Sequence, residues 1–167
     1  GADAPASAEI AMDGAGNAIL AWVEDDGTAA SMYARRYDAA SGTWSAAVLL
    51  ENSSFPLSSD HRVAVSIAGG EAIVAWIQEN GTRGDVYAAK LSGGTWSAPT
   101  LLDSRSEWTA APTVSISAEG DATVVWQQLD GAAPSIYYAR LSSDPYYTVP
   151  SGATWQSIAN ALYGIDS

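Results

Sequence analysis

The sequence has no cysteine, one histidine, one phenylalanine, and seven Lys plus Arg against nineteen Asp plus Glu. Each shortage closes a class of function. Without cysteine there is neither a disulfide framework nor a thiolate metal site. With His61 as the sole histidine, no multi-histidine metal site can form, so neither a metal nor another cofactor is expected. A formal net charge of −12 repels a phosphate backbone, which is bound by clustered Lys and Arg that release counterions. Nucleic acid is therefore not an expected partner, and anionic membrane surfaces are disfavoured for the same reason. No apolar run approaches the roughly 20 residues of a membrane span, so membrane insertion is not expected. Neither a phosphate loop nor a nucleophile elbow is present. Residues 1–6 carry no signal-peptide pattern and read as an interdomain linker or a cloning scar.

What the chain does have is tryptophan and tyrosine, seven and eight of them, a balance that suits strands with half-exposed faces. They recur in register. Trp76 lies 54 residues after Trp22, and Trp126 lies 50 after Trp76. Around each, the same residue types return without a gap. A glycine stands six before (Gly16, Gly70, Gly120) and an alanine four before (Ala18, Ala72, Ala122). A glycine stands five after (Gly27, Gly81, Gly131), a tyrosine eleven after (Tyr33, Tyr87, Tyr137) and a base fourteen after (Arg36, Lys90, Arg140). The chain is an array of three internal repeats.

Each copy reads as four short strands. The first alternates (Ile10–Met12, Val63–Ile67, Thr113–Ile116). The second is almost wholly apolar (Ala18–Val23, Ala72–Ile77, Ala122–Trp126), which predicts cover on both faces. The third carries the tyrosine, and the fourth follows Gly-Thr-Trp-Ser at 42–45 and 94–97 in the first two copies. Turn chemistry separates the strands, as at Asp13-Gly14-Ala15-Gly16, Asp25-Asp26-Gly27, Asn80-Gly81, Ser92-Gly93-Gly94 and Asp130-Gly131. Four antiparallel strands in about 50 residues is the period of a β-propeller blade. The predicted fold is all-β, with three propeller-type blades at 7–55, 60–105 and 110–141, followed by a short C-terminal strand–helix segment.

The pattern Gly-x-Ala-x-x-x-Trp, then Tyr-Ala-Arg, then Trp, resembles the bacterial propeller-like arrays related to sialidase-type (BNR) repeats, over roughly residues 7 to 141. The Ser-x-Asp-x-Gly-x-x-Trp box of those repeats is not reproduced, because Asp13-Gly14 stands at the wrong distance from Trp22. The resemblance implies a propeller fold and an extracellular or cell-surface bacterial setting. Three blades are fewer than the 4–8 of closed propellers, and bare blade faces are rarely left in water. Self-association that completes a ring is therefore expected.

Residues 146–167 break the repeat. Tyr147-Thr148-Val149, the turn Ser151-Gly152-Ala153-Thr154, and a helix-like stretch ending Leu162-Tyr163-Gly164 resemble the opening half of a lysin motif (LysM). Ile158, Ala159 and Leu162 share a helical face, and Gly164 stands where a helix C-terminal glycine belongs. Gly152-Ala153-Thr154-Trp155 also imitates the Gly-Thr-Trp-Ser start of a fourth blade strand. Both readings stay open.

Candidate sites follow from residue type and place. Trp22, Trp76 and Trp126 belong to the apolar strand and are expected to pack blade on blade. Trp44 and Trp96 follow a turn near an outer strand. With Arg36 and Glu51 they form the candidate glycan-binding set, since sugars stack on indole rings and hydrogen-bond to guanidinium and carboxylate groups. Arg36, Lys90 and Arg140 are repeat positions whose ordinary role is to meet solvent or an acid. Glu24-Asp25-Asp26 and Asp13 with Asn17 are oxygen-rich turns without the spacing of a calcium loop. His61 sits at a strand start between Asp60 and Arg62. Glu71, Glu79, Glu107 and Asp121 offer no carboxylate pair of recognisable spacing.

The resulting expectation is a non-catalytic binding or scaffold module of a large secreted or surface-anchored bacterial protein, presenting blade surfaces to a protein or glycan. Two alternatives remain: a carbohydrate-binding propeller lectin, and a fragment of a sialidase-type glycoside hydrolase. The latter requires several arginines converging beside a Tyr–Glu pair.

Overall fold

The structure is a computed structural model that describes residues 7–25, 30–51, 57, 62–79, 83–103, 109–131 and 133–142. Every regular element among them is a strand. The first sheet holds β1 (Ser7–Met12), β2 (Ala18–Asp25), β3 (Ala30–Asp38), β4 (Thr43–Trp44) and β5 (Val48–Leu49). The second holds β6 (Val63–Ala68), β7 (Glu71–Glu79), β8 (Gly84–Ser92), β9 (Thr95–Trp96) and β10 (Thr100–Leu101). The third holds β11 (Thr109–Ile116), β12 (Ala122–Asp130) and β13 (Ala133–Leu141). All pairings are antiparallel, and consecutive strands pair along each sheet as a meander, except that the two short last strands of the first and second sheets both pair with the third strand of their sheet.

The repeated residues explain the meander. Gly16, Gly70 and Gly120 precede the second strand with φ of 85°, 86° and 88°. That left-handed region strains any residue with a Cβ, which is why glycine recurs there. In the first turn the Asp13 carboxylate accepts the backbone N–H groups of Ala15 and Asn17, both at 2.9 Å. Each tryptophan then lies directly across the ladder from its tyrosine: Trp22 from Tyr33, Trp76 from Tyr87, Trp126 from Tyr137. The rings stack at centroid distances of 5.8, 6.2 and 6.4 Å, so the eleven-residue spacing encodes one cross-strand aromatic pair per sheet.

The fourth strand differs from the continuous one expected. In the first two sheets it is two short pieces, because three residues (45–47, 97–99) oppose two on the third strand. At each bulge a serine of the Gly-Thr-Trp-Ser motif substitutes for the ladder. The Ser45 hydroxyl accepts the backbone N–H of Arg36 at 3.0 Å and donates to the Ala46 carbonyl. Ser97 does the same with Lys90 and Ala98. The third sheet has three strands among the described residues, and 146–167, with its lysin-motif or fourth-strand alternatives, lies outside them.

The sheets stack in chain order. Ile19, Ala21, Val23, Met32 and Ala34 of the first meet Ala72, Val74, Trp76, Ala89 and Leu91 of the second. The opposite face of the second, Ile73, Ala75, Val86 and Ala88, meets Ala122, Val124 and Trp126 of the third. Strand β7 is thus covered on both sides and buried from Ala72 to Gln78, as an all-apolar strand requires. Strand β12 alternates buried and half-buried, since among the described residues a sheet stands against one of its faces only. First strands of adjacent sheets touch, β1 with β6 and β6 with β11.

Candidate functional site

Between the first two sheets a cleft of about 390 Å³ opens near their last strands, bordered by Arg36, Asp38, Trp44, Leu91 and Trp96 among others. The bulged fourth strands make it. They place Trp96 opposite Leu91, on the face of the second sheet that looks at the first. Arg36 comes from β3 on the facing side, two residues beyond the core alanine Ala34. Its Nε is buried without a hydrogen-bond partner, and its Nη2 stands 3.8 Å from Asp38. The backbone N–H and hydroxyl of Ser41 hold the Asp38 carboxyl below its ordinary value, and Arg36 adds to the effect. An indole, a guanidinium and a carboxylate thus border one open space, with the Arg36 Nε itself buried.

Three of the four residues singled out from the sequence border this cleft: Arg36, Trp44 and Trp96. Trp44 does so from the other side of its sheet. Its ring packs against Tyr37 at 5.3 Å and lies under the Arg35 guanidinium at 4.7 Å, on the outer face. Glu51 is elsewhere. Its Oε2 accepts the Gln78 side-chain amide at 2.9 Å, and Gln78 in turn accepts Trp76 Nε1 at 3.4 Å. Glu51 ties one sheet to the next, and the physical reason is burial: Gln78 is 1% exposed and needs a partner.

The other candidates resolve into structural roles. Trp76 and Trp126 are buried between sheets, whereas Trp22 is half-buried on the outer face of the first sheet and gives its indole N–H to Glu24 at 3.0 Å. Asp13 spends its carboxylate on its own turn; burial raises its proton affinity, but hydrogen bonds from Asn17 and Ala15 outweigh that and leave it lowered. No group of three or more His, Cys, Asp or Glu suited to a metal occurs among the described residues. Asp121 accepts the Ser142 hydroxyl at 3.1 Å, and Lys90 gives its Nζ to the Gly120 carbonyl of the third sheet. His61, Asp26 and Glu107 lie outside the described residues.

Two residues were not singled out from the sequence. Arg35 replaces the alanine found at the same repeat position in the other copies, Ala89 and Ala139, and bridges Trp22 (5.8 Å) and Trp44 (4.7 Å). That break in the repeat was a readable signal. Asp103 is 4% exposed, with both carboxylate oxygens buried and lacking a hydrogen bond of good geometry. Burial, then the neighbouring Asp85, pushes its carboxyl up to about 6. Only the pairing of β10 with β8, which brings Asp103 beside Asp85, reveals it.

No protein-family model matches the chain, and no curated protein matches it in sequence. Among solved structures the chain is similar to an endo-arabinase from Bacteroides thetaiotaomicron VPI-5482, with TM-score 0.48 and 14% identity, over 82% of this chain and 56% of that one. It is also similar to an ulvan lyase, a polysaccharide lyase solved bound to -[GlcA(1-4)Rha3S]-, with TM-score 0.53 and 12% identity, over 82% of this chain and 41% of that one. The chain thus spans about half the length of these neighbours, and identity this low is a likeness of fold. The likeness to the lyase corrects the expectation of a non-catalytic module: that neighbour is an enzyme, so a shortage of recognisable motifs does not exclude catalysis on this kind of sheet array.

Proposed function

We propose that the three sheets are propeller-type blades of a polysaccharide-handling protein, and that the cleft between the first two binds a saccharide chain. The observation that carries this reading is that the Trp96 indole, the Arg36 guanidinium and the Asp38 carboxylate border one open cleft. A guanidinium fork is matched to carboxylates and vicinal hydroxyls, and an indole face takes the apolar side of a sugar ring. The fold supports the reading, since it is shared with a lyase solved on a saccharide. Such a role puts the chain where polysaccharide is met, at or beyond the cell surface.

The test is tryptophan fluorescence titrated with a panel of polysaccharides that includes uronate-containing and neutral chains. The expected result is a saturable shift with a uronate-containing chain. Trp96→Ala and Arg36→Met should each weaken it about tenfold, or roughly 1.4 kcal/mol. A shift that survives both substitutions together, or no shift with any member of the panel, would overturn the proposal.

A further inference from the structure

Among the described residues, the two outermost faces of the stack are built like its internal ones but have no sheet against them. On the first sheet, Met12 is 66% exposed and Ile10 57%. Met12 pairs with Ala18 as Ile67 pairs with Ala72 and Ile116 with Ala122, yet Ile67 and Ile116 are each only 7% exposed. The same holds at the far end. Ile136 and Tyr138 on the third sheet are each 70% exposed, while their repeat counterparts Met32, Ala34, Val86 and Ala88 are all at 0%. Each internal junction joins a face of the first kind to a face of the second kind, so the bare pair are the two complementary halves of one further junction.

The substitutions on the two faces also answer each other. Arg35 has replaced an alanine on one face and Tyr138 has replaced an alanine on the other, where Ala34 and Ala88 stand on the faces buried at the internal junctions. The Arg35 guanidinium lies over Trp22 and Trp44, and a cation and a phenol attract when brought together. Arg140 stands on the third sheet where Arg36 stands on the first, and Trp44 stands on the first where Trp96 stands on the second.

We infer that the outer face of the third sheet docks on the outer face of the first sheet of a second copy. The contact is heterologous, and two copies of three sheets close on themselves when both such junctions form. Docking brings Arg140 of one copy beside Trp44 of the other and assembles a counterpart of the Arg36–Trp96 cleft at each new junction. The inference rests on the exposure pattern and stands whether or not the cleft binds saccharide.

The test is mass in solution. Multi-angle light scattering of the full chain at tens of micromolar should give twice the 17.3 kDa of the chain. Met12→Asp breaks one face and Ile136→Asp the other; both sites are exposed, so the fold, followed by the near-ultraviolet circular dichroism of buried Trp76 and Trp126, should be retained. Each variant alone should be monomeric, and an equimolar mixture should recover a heterodimer through the one intact pair of faces. A wild-type monomer at this concentration would overturn the inference. So would dimers that survive either substitution, because they would mean that like faces meet or that another surface is used.

Discussion

The two internal junctions start from the same repeat and end differently. At the first, Glu51 reaches Gln78 and completes a chain of hydrogen bonds that begins at Trp76. At the second, Trp126 gives its indole N–H to Gln128 at 3.2 Å, but the acid at the position of Glu51 is Asp103, one methylene shorter, and its carboxylate is buried without a good hydrogen bond. The basic position diverges too. Arg36 borders an open cleft, whereas Lys90 bridges to Gly120. Where Lys90 bridges, the sheets are also tight: a Cβ on Gly69 would come within 2.9 Å of Ala118. One junction keeps an open cleft beside its base, and the other is bridged by its base. A repeat thus preserves the packing and leaves chemistry to single-residue departures.

The comparison breaks most sharply if the apolar cores are unequal. Trp76→Ala and Trp126→Ala each empty a buried indole from one junction, and each should cost about 3–5 kcal/mol in urea unfolding. A clear gap between the two would show that one junction dominates stability.

The acids should then act in opposite directions. Glu51→Ala strips an acceptor from a buried amide and should cost about 1–3 kcal/mol. Asp103→Asn should stabilise, and only in part of the pH range. The Asp103 carboxyl titrates near 6 in the fold and near 3.9 when unfolded. The folded state therefore holds the proton more tightly between those values, and stability falls as pH rises from about 4 to 6. The penalty of the ionised carboxylate is complete above pH 6 and absent below 4. Asp103→Asn should raise stability at pH 7.5 by up to about 3 kcal/mol, with no gain at pH 4. Thermal melts at the two pH values check this, and an equal effect at both would refute it.

The smallest effect concerns the bases. Lys90→Met removes a cation that bridges two sheets and should cost about 1 kcal/mol. Arg36→Met should leave the melting temperature unchanged while weakening the saccharide response. A stability loss in Arg36→Met equal to that in Lys90→Met would mean that the first junction is pinned like the second.

Much of this was legible in one dimension. Gly16, Gly70 and Gly120 mark turns that need positive φ, the Trp–Tyr spacing marks a hairpin with facing rings, and the apolar run from Ala72 to Ile77 marks a strand covered twice. All are local rules of backbone geometry, so sequence alone fixes them. The broken fourth strand was hidden because Ser45 and Ser97 read as ordinary turn-flanking residues until their hydroxyls are seen in place of a ladder bond. Glu51 and Arg36 looked like members of one set, yet a face and a burial depth separate them.

The sequence by itself determined that there are three antiparallel units, where their turns fall, and which aromatic pairs hold each together. Only the tertiary structure decided which of the equivalent residues are spent on packing and which are left over. That depends on whether another sheet stands against the face. Met12 and Ile67 occupy one repeat position, but among the described residues only the second has a sheet against it; Arg36 and Lys90 likewise differ by what lies within reach of the cation. Contacts between units are set by distances in space, which a repeat copied along a chain does not record.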